Sequence, residues 1–167
     1  MTVNEYNICV ERYADGIFRF VLKMSANEAD AKDTVQNAFE KLWKKYSEVN
    51  FESAKAFLFT TAYRDWIDQT RKIKRMHFTD ALPDQGIADR GQMEIEKREV
   101  INKAFDGIPT IQKSVILLRD YEGYSYEEIA DITGLNLSQV KVYIFRGRKK
   151  MQAAIRDLDE SRQINQM

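Results

Sequence analysis

The sequence predicts an all-α protein made of two small helical domains joined by a linker. Three observations carry that prediction. Apolar residues recur at helical spacing along nearly the whole chain, with no alternation of the strand type. Pro83, Gly86 and Gly91 gather in one polar stretch with Asp80, Asp84 and Asp89, so 76–93 reads as a linker between helical blocks at 1–75 and 94–160. From Ser125 to Met151 a short capped helix, a glycine and a second capped helix follow one another, which is the pattern of a helix-turn-helix. Residues 161–167 read as a frayed polar tail.

The elements follow in order. Val10, Ile17, Phe18, Val21 and Leu22 form the apolar stripe of a first helix that ends near Ser25-Ala26-Asn27. Asn27 is a good N-cap, with Asp30 three residues on. The second helix reaches about Tyr46, and Val35, Ala38, Phe39, Leu42 and Trp43 hold its i, i+3, i+4 spacing. Residues 47–53 read as a loop, and Ser53 as the cap of a third helix over 54–75. On that helix Leu58, Phe59, Ala62, Trp66 and Ile73 share an arc of ~100°, while Arg64, Arg71 and Arg75 share one of ~40° on the other side.

Beyond the linker, Ile95, Val100, Ile101, Ala104 and Phe105 mark a fourth helix that stops at Gly107. Thr110 is expected to cap a fifth, whose core is Ile111 and Val115 to Leu118. Ser125 and Glu128 have the spacing of a capping box that opens a sixth helix, buried through Ile129, Ala130 and Ile132. Gly134 ends it in a left-handed conformation at low steric cost. Asn136 then caps a seventh, with Gln139 at its third position. On the seventh helix Val140, Ile144, Gly147 and Met151 should pack inward. Ser138, Val142, Phe145 and Lys149 lie opposite, flanked by Lys141 and Arg146.

Composition bounds the function. In 167 residues, 44% hydrophobic and 31% charged, there is core enough for a globular fold, and no apolar run long enough to span a bilayer. No basic start leads into an apolar stretch, so no secretion signal is expected and the protein reads as cytoplasmic. Cys9 is alone, and no Cys/His cluster offers metal spacing, so neither a disulfide nor a metal nor another cofactor is expected. The single His77 would have to serve any Ser–His or Cys–His chemistry and has no evident partner; a local role is the better reading, and no catalytic residue is expected.

Net charge is zero but segregated. Residues 41–75 carry 9 basic and 4 acidic groups, and 141–150 carry 5 basic and none acidic, while 1–40, 76–100 and 101–140 are each acidic by three. Two basic blocks in a neutral chain point to two separate polyanion contacts of modest individual strength. The second block lies on the recognition helix of the helix-turn-helix, the element that enters a DNA major groove. Lys141 or Arg146 could read guanine or hold phosphates there, and Val142 and Phe145 could meet a thymine methyl.

Two longer constellations now matter. One is Asp30-Ala-Lys-Asp-Thr-Val-Gln-Asn-Ala-Phe-Glu-Lys-Leu-Trp43, followed by Ala56 to Asp68 and a basic run. The other is Ile108 to Arg119, then Glu122 to Ala130, then Val140-Lys141 leading to Arg146-Gly-Arg-Lys-Lys150. Together, from about 10 to 157, they resemble the extracytoplasmic-function sigma factors, the minimal two-domain class of the sigma-70 family. The resemblance implies a region 2 helical bundle, a region 4 helix-turn-helix, and an initiation factor that gives core RNA polymerase its promoter specificity. It implies docking on the polymerase clamp through Asp33, Gln36, Phe39 and Trp43. It assigns the −10 element to the 47–55 loop and the third helix: Asn50, Phe51, Lys55, Tyr63, Arg64, Arg71, Lys72, Lys74 and Arg75. Phe51, Tyr63 and Trp66 are its candidate stacking platforms, Trp66 falling equally on the apolar face. It assigns the −35 element to Ser138, Gln139, Lys141, Val142, Phe145, Arg146 and Lys149. It implies core RNA polymerase, promoter DNA and an anti-sigma factor as partners, with no small-molecule substrate and no membrane insertion.

The chain departs from the family pattern at Asn37, where Glu is usual, at Arg64, where Asn is common, at Val142 and Tyr143, often Ser and Arg, and at Gly147, usually Ala. Two other readings compete. A stand-alone helix-turn-helix regulator would dimerise and bind a palindrome tightly. A helical metalloenzyme could use Asp65 and Asp68, three apart on one helix.

Overall fold

The computed structural model describes the backbone of residues 1–76 and 92–165, and side chains over 1–72 and 99–165. The linker expected at 76–93 therefore lies almost wholly outside the described residues, as does His77. Seven α-helices occur among the described residues, and no strand: α1 (Val3–Ser25), α2 (Glu28–Lys44), α3 (Ala54–Met76), α4 (Gln92–Asp106), α5 (Thr110–Ile116), α6 (Tyr126–Thr133) and α7 (Leu137–Asn165). The backbone groups into two compact units, Met1–Gln85 with Glu127–Leu135, and Gly86–Tyr126 with Asn136–Met167.

In the first unit α1, α2 and α3 pack on one another. Thr2 and Glu5 form a capping box that starts α1, Glu5 N–H donating to Thr2 Oγ1 at 3.2 Å and Thr2 N–H to Glu5 Oε2 at 2.7 Å. Ala26, in the left-handed region at φ 53°, stops the helix. Asn27 then caps α2, accepting from Asp30 N–H at 3.1 Å. Ile17, Val21, Ala31, Ala38, Leu42, Leu58, Phe59 and Ala62 fill the core. Trp43, expected in the apolar stripe, is 45% exposed instead. Its ring lies 5.3 Å from that of Tyr46, stacked, and meets the edge of Tyr6 at 5.0 Å. The loop reading of 47–53 needs one refinement, a single 3₁₀ turn over Phe51–Ser53. The Ser53 hydroxyl donates back to the Asn50 carbonyl there.

In the second unit α5 is the central helix, packed by α7, which also contacts α4. Val115, Ile116, Leu117 and Leu118 are all at most 2% exposed. Four consecutive buried residues mean a helix apolar on every side. A single π-turn over Leu117–Tyr121 continues it. Thr110 is not the cap expected. It is the first helical residue, and Pro109 stands at the cap position, its carbonyl accepting from Lys113 N–H at 3.0 Å. Asn136 and Gln139 do form the box expected at α7, at 2.8 and 3.0 Å. Gly134 takes φ 76°. Residues 161–165, expected to fray, continue α7, and the Ser161 hydroxyl donates to Asp157 O one turn back.

Candidate nucleic-acid and docking surfaces

The capping box at Asn136 fixes where α7 starts, and therefore which side chains share a face. Val140, Ile144 and Gly147 are buried; Ser138, Gln139, Lys141, Val142, Phe145, Arg146 and Lys149 are exposed. Phe145 is 60% exposed, an apolar surface with no intramolecular reason to face water. The Lys149 ammonium lies 4.7 Å from its ring centroid. Arg148 belongs to a different set. It donates from Nε to Asp120 Oδ2 at 3.0 Å, with a second bond from the guanidinium to Oδ1. That hydrogen bonding, ahead of any effect of burial, raises the Arg148 pKa. Arg148 thus ties α7 to the π-turn rather than standing ready for phosphate.

Gly147 sits where α7 crosses α5. A Cβ there would stand 2.5 Å from Ile116 Cδ1 and 3.3 Å from Gln112 Cβ. The helix-propensity deficit of a mid-helix glycine is therefore the condition for this close approach.

In the first unit the 47–55 loop leads into α3. Asn50 is extended, at φ −73° and ψ 147°, and its side chain makes no cap bond. Its carbonyl accepts from both the backbone N–H and the hydroxyl of Ser53, each at 3.1 Å. The backbone is thus fixed while the amide stays exposed. Phe51 is half-buried, with the Arg12 guanidinium carbon 6.0 Å from its ring centroid. Lys55 is half-buried, and Arg64, Arg71 and Lys72 are exposed along α3. The side chains of Lys74 and Arg75 lie outside the described residues. Tyr63 and Trp66 do not offer platforms: at 5% and 8% exposed they belong to the α1–α3 core, on the apolar face that also holds Phe59.

On α2, Asp33 and Gln36 are exposed, whereas Phe39 is only 7% exposed. An open groove of about 540 Å³ runs beside them, lined by Val3, Tyr6, Asn7, Gln36, Phe39, Glu40 and Trp43. The Tyr6 hydroxyl donates to Phe39 O at 3.2 Å, joining its two walls. Sequence reasoning missed Val3 and Tyr6 here and Arg12 beside Phe51. The Thr-x-x-Glu signature at residues 2–5 signals a helix beginning early enough to carry the first two. No local signal marks Arg12, because its neighbour is 39 positions away. Asp65, the suggested metal ligand, is paired with Lys41 at 2.5 Å. No group of three or more metal-ligating side chains occurs among the described residues.

Fold and surfaces together define a class: an all-helical protein with an exposed basic face in each unit and an aromatic groove lined by α1 and α2. Comparison with known proteins narrows it. Residues 9–76 match the family model for sigma-70 region 2, and 98–151 that for sigma-70 region 4. The chain is 30% identical over 154 residues to the RNA polymerase sigma factor SigV of Bacillus subtilis, covering 92% of each. It is 28% identical to the ECF RNA polymerase sigma factor SigE of Mycolicibacterium smegmatis, over 86% of this chain and 58% of that one. In fold it is similar to the sigma factor RpoE of Bartonella quintana, solved in complex with the anti-sigma factor NepR. The TM-score is 0.81 at 24% identity, over 92% of this chain and 98% of that one.

The chain belongs to the sigma-70 family of RNA polymerase sigma factors, as an extracytoplasmic-function member. It serves promoter recognition and transcription initiation, and it is not itself an enzyme. No helix among the described residues is long and apolar enough to cross a membrane.

Proposed function

We propose how the work divides along the chain. Residues 1–75 form the region 2 domain, 94–160 the region 4 domain, and 76–93 the linker between them. The α2 face of Asp33, Gln36, Phe39 and Trp43 docks on core RNA polymerase, with the groove walls Val3 and Tyr6 extending it. The 47–55 loop and the basic side of α3 take the −10 element: Phe51 stacks an extruded base, the Asn50 amide reads its edge, and Lys55, Arg64, Arg71, Lys72, Lys74 and Arg75 track the displaced strand. Extruding a base costs a few kcal/mol, which stacking and phosphate contacts offset. Tyr63 contributes by supporting that surface from the core. The exposed face of α7 takes the −35 element through Ser138, Gln139, Lys141, Val142, Phe145, Arg146 and Lys149. The protein works in the cytoplasm and is held inactive by an anti-sigma factor that covers the docking face.

The observation that carries this reading is the exposure of Phe145 and Val142 beside exposed Lys141 and Arg146 on a capped helix. A buried scaffold helix would hide those apolar groups. The test is an anisotropy titration of labelled protein against bacterial core polymerase, with duplex DNA alone in parallel. Tight saturable core binding with weak, salt-sensitive duplex binding is expected. Gln36→Ala should weaken core binding, and Arg146→Ala should spare it while reducing promoter-specific transcription. Tight duplex binding without core binding would instead leave a stand-alone regulator.

A further inference from the structure

Arg12 lies on α1, far in sequence from every residue assigned to the promoter. It is exposed, and no carboxylate pairs with it among the described residues. Its guanidinium carbon stands over the Phe51 ring at 6.0 Å from the centroid. That spacing is at the outer limit of a cation–π contact. It is close to another quantity. A planar base stacked on two surfaces at about 3.4 Å from each needs a gap of roughly 6.8 Å. Bases stack on guanidinium planes as they do on aromatic rings. The lower surface of this gap is fixed, because Phe51 opens a 3₁₀ turn whose Asn50 carbonyl takes two bonds from Ser53. The upper surface is a long side chain on an exposed stretch of α1, able to move the remaining ångström. Asn50, one residue before Phe51, has an exposed side chain.

We propose that Arg12 and Phe51 are the two jaws of a clamp for one unstacked base, with the guanidinium plane closing over the base that rests on the ring. The proposal builds on the assignment of the 47–55 loop to the −10 element and adds the residue that covers the base. In the free protein Arg12 rests near the ring and shields its apolar face from water. When a base enters, the contact is exchanged for base–guanidinium and base–ring stacking. The clamp is selective for an extruded base, since a base inside the duplex has both faces covered by its stacked neighbours.

The experiment uses the full chain assembled with core polymerase on a promoter carrying 2-aminopurine at successive non-template positions of the −10 element. Wild-type holoenzyme should quench the probe at one position by double-sided stacking. Arg12→Ala and Arg12→Gln should each brighten the probe at that position and shorten the open-complex lifetime by roughly tenfold. Core affinity, closed-complex affinity and melting temperature should stay at wild-type values. Arg12→Lys should not rescue, because an ammonium has the charge but no plane. The salt slope of open-complex stability should be unchanged, since no phosphate contact is lost. A wild-type lifetime in Arg12→Ala would overturn the clamp. Full rescue by Lys, with a salt slope reduced by about 0.7 in Arg12→Ala, would also overturn it and make Arg12 a phosphate contact. Phe51→Ala separates this from the parent reading: normal opening there refutes the loop assignment itself, whereas impaired opening beside a silent Arg12→Ala refutes only the clamp.

Discussion

Gly147 is held glycine by α5, above all by the Ile116 side chain. Alanine there would gain about 1 kcal/mol of helix propensity. Its Cβ would meet Ile116 Cδ1 at 2.5 Å, and overpacking of a tight contact costs about 1–3 kcal/mol. The contact wins, because Ile116 is itself 2% exposed and has little room to turn away. Gly147→Ala should therefore lower unfolding free energy by about 1 kcal/mol in urea denaturation. In an Ile116→Val background, where Cδ1 is gone, the same substitution should lose less than half as much. Equal losses in both backgrounds would mean the obstacle is elsewhere. Thr34 presents the opposite case. It is 0% exposed, and its hydroxyl has no hydrogen-bond partner. A buried unpaired hydroxyl costs about 1–3 kcal/mol, and valine has nearly its shape. Thr34→Val should raise stability by about 1 kcal/mol without changing core binding, since the side chain faces the bundle interior. A destabilised Thr34→Val would show that the hydroxyl has a partner in solution.

At the scale of elements, the helices were legible where the signal is local. Asn27, Gly134 and the Asn136–Gln139 box sit where capping chemistry places them, since each satisfies backbone groups within its own turn. The first start was less accessible to periodicity: α1 begins at Val3, while its regular apolar spacing is clear only from Val10. The start of α5 was misread because threonine is a good cap while proline offers no side-chain acceptor. Here packing decided, the buried apolar run from Val115 to Leu118 fixing α5 and the Pro109 carbonyl supplying the first helical acceptor. The end of α1 could not be anticipated in detail. Ala26 holds φ 53°, a region that costs an L-residue with a Cβ about 1 kcal/mol. It is tolerated because its N–H closes on Leu22 O at 2.8 Å and the chain turns directly into the Asn27 cap. Ala26→Gly should remove that strain and raise stability by about 0.5 kcal/mol, glycine's larger unfolded-state entropy cancelling the rest. A clear loss of stability in urea denaturation would show that the alanine methyl packs. The candidate faces were legible for the same local reason, since on α7 a single period separates Val140 and Ile144 from Val142 and Phe145. Tyr63 was not, because a tyrosine suits a core position and a stacking surface equally, and only the α1–α3 packing decides.

For the molecule as a whole the decisive quantity is the distribution of charge rather than its total of zero. Each basic face sits in a chain whose remaining segments are acidic, so neither alone should bind DNA strongly at physiological salt. On the proposed division of labour the two faces meet different forms of DNA. The α7 face, exposed along a capped helix, is the one proposed for an intact major groove. The α3 face, beside Phe51 and Asn50, has the stacking and basic components suited to a displaced strand. On that proposal core polymerase converts two weak contacts into one strong one by holding both within reach, which raises effective concentration without any new contact. The faces should therefore fail separately. Arg71→Ala with Lys72→Ala should leave the free chain's affinity for a −35 duplex within about twofold, because an intact duplex makes no use of α3. In holoenzyme the same pair should slow strand opening, read by permanganate reactivity of −10 thymines, by about tenfold or more, since two phosphate contacts to the single strand are lost. Arg146→Ala with Lys149→Ala should do the converse: duplex affinity falls and its salt slope drops by about 1–2, while opening at saturating holoenzyme proceeds at nearly the wild-type rate. If both pairs instead lowered duplex affinity together, the two faces would be reading one continuous stretch of DNA, and the division of labour between the units would be wrong.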